Sequence, residues 1–208
     1  MIRLTVRAFA ELLHLPAHAQ VRILYEQKYP RREPQVFKVP FYQVALRGIR
    51  DFYASGGDRR QLAEARARAA QLRPPPKRSN NQRALRAFEN SNQVARPIIP
   101  SPGGTYRALP IRGVELRIRF GLEGEEGDRP RRMLYNLRQA PIDPEVALST
   151  LRVAYWVLAE NGLALPMRAL EYVDLYDGRV HSVSRQSQRT LRLMMENARI
   201  IVTLWPTI

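Results

Sequence analysis

The spacing of apolar residues changes near residue 112, and that change restricts the chain to folds joining a helical segment to a sheet. Residues 1–95 read as helices separated by proline and glycine. Val6 to Leu15 starts one helix, and Pro16 opens another that runs to about Tyr29. PRREPQVFKVP is an extended, proline-bounded connector. Phe41 to Ser55 is helical, with Tyr42, Ala45, Ile49 and Phe52 on one side, and Gly56 and Gly57 stop it. Asp58 is placed to cap RRQLAEARARAAQL. Pro74, Pro75 and Pro76 break the chain before a short helix, NQRALRAFEN. Residues 96–111 read as a linker.

From residue 112 the pattern alternates. GVELRIRFGLEG reads as one strand, EEGD as a turn and RPRRMLYNLRQ as the returning strand. Asp143 caps a helix with Pro144 at its first position and Gly162 beyond its end. MRALEYVDL and RVHSVS form strands around a Tyr-Asp-Gly turn. The last helix is expected from about Ser184 to Ile200, with Leu191, Met194, Met195 and Ala198 inward. The fold class is therefore α/β (α+β): a helical N-terminal region, 1–95, followed by a mixed-sheet β-β-α-β-β-α core, 112–208.

Apolar residues are 45% of the 208, enough for a core. No apolar run approaches the roughly 18 residues of a membrane span. Polar residues interrupt the amphipathic N-terminus, so no signal peptide is expected and the cytoplasm is the expected location. Cysteine is absent, which removes disulfides, thiolate zinc sites and iron–sulfur ligation. No cofactor is expected. Lys and Arg total 34 against 19 Asp and Glu, a formal net charge of +15. Lysine occurs only at Lys28, Lys38 and Lys77, so the excess is guanidinium, which grips phosphates and does not give up its proton.

The element order resembles the core of the PD-(D/E)XK nuclease superfamily, in particular its RecB-like branch, which includes CRISPR-associated exonucleases. That family carries a Gly-x-x-x-His segment entering an amphipathic helix. The similar stretch QVALRGIRDFYASGG has Gln43 and Arg47 at those positions. The family's strand ending in Pro-Asp resembles VELRIRFGL, with Phe120 and Gly121 there. Its acid-x-Lys strand resembles MLYNLR, with Tyr135 and Leu137 in the acid and lysine positions. The Gln-x-x-x-Tyr helix has Leu151 and Tyr155. Exonuclease members continue into iron–sulfur cysteines about where this chain reaches LWPTI. The resemblance thus implies a nuclease-like scaffold without its catalytic carboxylates, lysine or histidine, and no catalytic or metal-binding residue is expected. It implies a nucleic-acid-binding accessory subunit, associated with other protein subunits, of a prokaryotic defence, CRISPR-type or DNA-processing complex.

Other chemistry is weaker. Glu123, Glu125, Glu126 and Asp128 read as a solvated hairpin tip, and Asp174 and Asp177 as turn residues. His14 and His18 straddle Leu15-Pro16 and lack further ligands in sequence. Ser101 to Thr105 lacks a Walker lysine and reads as a turn. The candidate nucleic-acid-binding residues fall in three groups, with Arg47 beside them. The helical arm holds Arg59, Arg60, Arg66, Arg68, Arg73, Lys77, Arg78, Arg83 and Arg86. The hairpin holds Arg117, Arg119, Arg131, Arg132 and Arg138, and the last helix holds Arg185, Arg189, Arg192 and Arg199. Tyr106, Tyr135 and Trp205 are candidates for stacking on bases. DNA and RNA, single or double stranded, remain open. So do two rivals: a metal-dependent nuclease with a displaced site using Glu115, Glu123 or Asn136, and a scaffold or inhibitor docking an acidic protein.

Overall fold

A computed structural model of the chain describes residues 1–29, 41–102 and 106–208. The connector expected over 30–40 and most of the turn at 101–105 lie outside the described residues. The chain is an α/β fold whose N-terminal half is mainly helical. In order it forms β1 (Ile2–Thr5), α1 (Val6–Leu13), α2 (Ala17–Lys28), α3 (Gln43–Ala54), α4 (Arg59–Ala70) and α5 (Pro75–Glu89). Then follow β2 (Ile98–Pro100), β3 (Arg107–Ile111), β4 (Val114–Ile118), β5 (Leu122–Glu126) and β6 (Arg129–Asn136). The chain closes with α6 (Pro144–Glu160), β7 (Leu170–Asp174), β8 (Val180–Ser182) and α7 (Gln188–Leu204).

Local chemistry sets most of these bounds. The Asp58 carboxylate accepts from the Arg60 amide to cap α4, and Asp143 does the same for α6 through Glu145. Ser187 caps α7 by accepting from the Thr190 amide, which places that helix about four residues later than Ser184–Ile200. Met195 is exposed, whereas Met194, Ala198 and Ile201 face the core. The triple proline does not exclude helix as expected. Pro75 and Pro76 lie in the first turn of α5, where the missing amide hydrogens have no intrahelical partner to lose.

Two sheets organise the chain. One has three strands, β1-β4-β3, with β1 parallel to β4 and β3 antiparallel to it. The other has five, β2-β5-β6-β7-β8, with only the β6–β7 pair parallel. Helix α6 makes the β6-to-β7 crossover, the usual connection between parallel neighbours. The order β5-β6-α6-β7-β8-α7 follows the expected β-β-α-β-β-α rhythm.

Two expectations change. GVELRIRFGLEG is not one strand: it breaks at Arg119–Gly121, leaving β4 in the smaller sheet and β5 in the larger. The segment 96–111 is not simply a linker, because it contributes β2 and β3, and β1 ties residues 2–5 to the core. The core divides accordingly. Phe9, Leu12 and Leu24 of the first helices join Val114, Leu116, Val153, Val157, Leu170 and Tyr172 in one cluster. Ile49, Phe52, Leu62, Leu85 and Phe88 of α3–α5 join Leu122, Met133 and Val173 in the other. Strand β7 is buried along its whole length, with Leu170 and Tyr172 in the first cluster and Val173 in the second. It therefore serves both clusters, while its two buried acids are satisfied, Glu171 by Arg96 and Arg131 and Asp174 by Asn136 and backbone amides.

Candidate nucleic-acid interface

The arginines separate into two populations once their partners are known. On the arm, Arg66 reaches Glu89 at 2.8 Å, and Arg68 lies 3.4 Å from Asp51 and 3.7 Å from Glu64. Arg83 is half-buried and donates to the Leu137 carbonyl. By contrast, Arg59, Arg60, Arg73, Lys77, Arg78 and Arg86 find no carboxylate within ion-pair distance among the described residues. All but the half-buried Lys77 are exposed. Arg73 and Arg78 line an open groove of about 500 Å³ with Leu72, Pro74 and Pro75.

The hairpin is different. Arg131 and Arg132 do not face solvent as expected, their side chains being only 15% and 16% exposed. Arg132 pairs with Glu123 at 2.8 Å, and Arg131 reaches Glu126 at 2.8 Å and Glu171 at 3.3 Å. Arg96 completes this group, lying 2.7 Å from Glu126 and 2.6 Å from Glu171. The physical reason is compensation: partly buried carboxylates need cations close by. The acidic group is therefore not a solvated tip. Glu123 and Glu126 are ion-pair acceptors, and only Glu125 and Asp128 are exposed. The Arg96 bonds hold the Glu126 pKa down to about 2, with burial opposing and Arg131 assisting. For Arg96 itself, burial works against the charge, but the bonds to both glutamates outweigh it and raise its pKa.

Arg117 pairs with Glu115 and stacks 5.5 Å from the ring of exposed Tyr106. Arg138 is exposed and lies 3.3 Å from Glu11. Arg119, in the crossing between the two sheets, is exposed and has no carboxylate at ion-pair distance among the described residues. The same holds for Arg185, just before α7, and for Arg189, Arg192 and Arg199 on it. Arg192 and Arg199 line a groove of about 320 Å³ with Arg112, Leu191, Met195 and Glu196. Trp205 packs partly against the first core cluster beside Lys28, which removes one face from stacking.

Of the positions singled out by the nuclease resemblance, Gln43, Arg47, Phe120 and Gly121 come together in space, whereas Leu151 of α6 belongs to the first core cluster and Tyr155 packs against it. Arg47, Phe120 and Gly121 line a cavity of about 490 Å³ with Gln43, Leu46, Arg50, Asp51 and Arg119. Tyr135 closes its side next to Gly121: a Cβ built on Gly121 would sit 2.5 Å from Tyr135 Cδ2. Leu137 is buried in the second cluster. Arg50 holds the wall, its Nε donating to the Gly121 carbonyl at 2.7 Å and its Nη2 to the Phe120 carbonyl at 3.2 Å. Burial, then the nearby Arg119 charge, lower the Arg50 pKa, while Glu123 and Asp51 act the other way. Burial also pushes the Tyr135 phenol well above its usual value. Arg50 is absent from the candidates above, although its place three residues after Arg47 on α3 puts both on one helical face.

The carboxylates and amide of the displaced-site rival have other engagements. Glu115 pairs with Arg117 and lies 3.7 Å from Arg3, while Glu123 is held by Arg132 and Arg107. Asn136 is fully buried and donates to Asp174 at 2.9 Å and to the Ala140 carbonyl at 2.8 Å. Asp174 in turn accepts from the Ile142 and Tyr176 amides, and Asp177 accepts from the Arg179 amide, the turn roles expected of them. His14 bonds to Ser149 at 2.9 Å. Among the described residues, no three His, Asp or Glu side chains form a group that could hold a metal ion. No described helix is long and apolar enough to cross a membrane.

No protein-family model matches the chain, and no curated protein matches it.

Proposed function

We propose that the chain is a non-catalytic, nuclease-like nucleic-acid-binding protein, serving as an accessory subunit of a prokaryotic defence, CRISPR-type or DNA-processing complex. The observation that carries this reading is the division of the arginines. Those near partly buried carboxylates are consumed in ion pairs. The rest, on α4–α5, at Arg119 and along α7, are exposed without carboxylate partners among the described residues. Guanidinium groups held this way neutralise phosphates and release their counterions. The cavity at Gly121 supports the non-catalytic part, since among the described residues Asp51 is the one carboxylate lining it and lies 3.8 Å from Arg47. The subunit part draws on α7, which exposes Leu193, Met195 and Ile200 beside its arginines.

The test is anisotropy of labelled single- and double-stranded oligonucleotides across a salt series. With about six phosphate contacts, log affinity against log salt should slope at about −5 on duplex DNA. A slope near zero, or no binding at low salt, would overturn the reading.

A further inference from the structure

We propose that the cavity at Arg47, Arg50 and Arg119 is a phosphate seat, occupying the place where the nuclease resemblance would put metal-holding carboxylates. The residues divide the work. Arg50 is fixed by the two carbonyls it bonds, through Nε and Nη2, while its Nη1 has no hydrogen-bond partner among the described residues. Arg119 lines the same cavity from the crossing between β4 and β5, and Arg47 lies one helical turn before Arg50 with its side chain 77% exposed. Among the described residues, three guanidinium groups share one cavity with a single carboxylate, Asp51, and Asp51 is itself shared with Arg68 at 3.4 Å. The lining thus carries an uncompensated positive charge of about two, which matches a phosphate monoester dianion and exceeds the single charge of a diester. Burial first, and the Arg119 charge second, lower the Arg50 pKa, so an anion seated in the cavity would relieve the second of these. Gln43 on the same wall adds a neutral side-chain amide.

Tyr135 and Gly121 explain why this is a seat for an anion and not for a cation. The phenol ring fills the volume that a side chain at Gly121 would need. A carboxylate therefore cannot enter from β5's leading edge without displacing the ring, and the cavity keeps its positive lining.

The ligand chemistry is phosphate, and two sources can present it: a nucleic-acid backbone or a small phosphate compound. The choice of backbone rests on the reading above; the seat itself does not. The experiment uses the full chain and two probes, inorganic phosphate and a labelled single-stranded 20-mer. Binding of phosphate is followed by NMR of the arginine Nε–H resonances, and binding of the oligonucleotide by anisotropy across salt. The pocket variant is Arg47→Ala/Arg119→Ala, and the charge-matched control is Arg59→Ala/Arg60→Ala on the arm. We expect phosphate to shift the Arg50 and Arg119 resonances in the native chain and in the control. In the pocket variant the affinity for phosphate should fall at least tenfold. The pocket variant should also lose oligonucleotide affinity, with a salt slope shallower by about 1.4 for two lost contacts on a single strand. If the native chain binds phosphate in the cavity but no oligonucleotide at any salt, the seat stands with a small phosphate compound as its ligand, and the nucleic-acid reading fails alone. If phosphate shifts neither resonance, or if the control loses phosphate binding as much as the pocket variant, the seat is overturned. Oligonucleotide binding by the arm would survive that result.

Discussion

Replacing Gly121 by alanine tests whether the cavity wall is as tightly built as its geometry states. Gly121 lies outside the positive-φ region, so its backbone does not demand glycine. On backbone grounds alone, alanine would stabilise the chain by about 0.4–1 kcal/mol by restricting the unfolded state. Packing acts the other way. The added Cβ would sit 2.5 Å from Tyr135 Cδ2, 3.1 Å from Cε2 and 3.2 Å from Leu46 Cδ2. The ring cannot simply swing aside. Tyr135 is registered against Val173 on the parallel neighbour β7, and its hydroxyl contacts the Met133 sulfur at 3.6 Å. Overfilling a packed site costs about 1–3 kcal/mol. The contest should therefore end with a net destabilisation of about 1–2 kcal/mol. In urea, with a slope of about 2 kcal/mol per molar, the midpoint should fall by about 0.5–1 M. Gly121→Ala/Tyr135→Val should be more stable than the sum of the two single changes implies, because valine vacates the space the Cβ needs. A raised midpoint for Gly121→Ala, or strict additivity in the double variant, would refute the reasoning.

Three further outcomes follow from the ion pairs. The Glu126 pKa is depressed from 4.5 to about 2, so its contribution is fully present above pH 4.5 and is lost as pH falls toward 2. Solvent screening at this partly exposed group leaves a contribution on the order of 1 kcal/mol at neutral pH, and Glu126→Gln should flatten the dependence of the urea midpoint on pH between about 5 and 2. The two arginine populations should respond oppositely: Arg131→Met should lower stability by about 2–3 kcal/mol and leave the salt slope of nucleic-acid binding unchanged, because its charge is spent on Glu126 and Glu171. Arg59→Ala/Arg60→Ala should keep the unfolding free energy within about 0.5 kcal/mol and make the salt slope on duplex DNA shallower by about 2. Finally, incubation with magnesium or manganese should give no EDTA-sensitive cleavage of single- or double-stranded DNA or RNA; cleavage abolished by Glu115→Ala would establish the displaced-site enzyme instead.

Much of the fold was legible because local chemistry and tertiary packing agree over most of it. Asp58, Asp143 and Pro144 mark helix starts by the hydrogen bonds they supply or do not need, and the structure uses them in that way. The break at Arg119–Gly121 was not legible, because Val114, Leu116, Ile118, Phe120 and Leu122 continue one alternation across it. Every one of those residues is buried, but Val114, Leu116 and Ile118 lie in one sheet, Leu122 in the other and Phe120 in neither, and Leu122 alone of the five joins the second cluster. Periodicity reports burial and not the partner, so it cannot show where a chain changes sheets. Strand β1 was missed for a related reason. Its four residues become a strand by pairing with β4, over a hundred residues away.

The hairpin arginines mark a different boundary. Taking Gly127 and Asp128 as the turn fixes the register outward: Glu126 opposite Arg129, Gly124 opposite Arg131, Glu123 opposite Arg132. The Glu123–Arg132 pair was thus readable from the turn alone, and a cross-strand pair of opposite charges is a structural use of arginine. Arg131 was not readable in this way, because its partners Glu126 and Glu171 come from a diagonal position and from the next strand. The same limit applies to Arg96, which clamps two glutamates 30 and 75 residues away. Net charge cannot separate such arginines from those on α4, α5 and α7, since both kinds count equally toward +15. What separates them is whether a carboxylate shares their desolvated surroundings. That condition ties each Arg near Glu123, Glu126 and Glu171 to stability and leaves exposed arginines such as Arg59, Arg60, Arg119 and Arg192, which have no carboxylate partner among the described residues, able to meet an external anion.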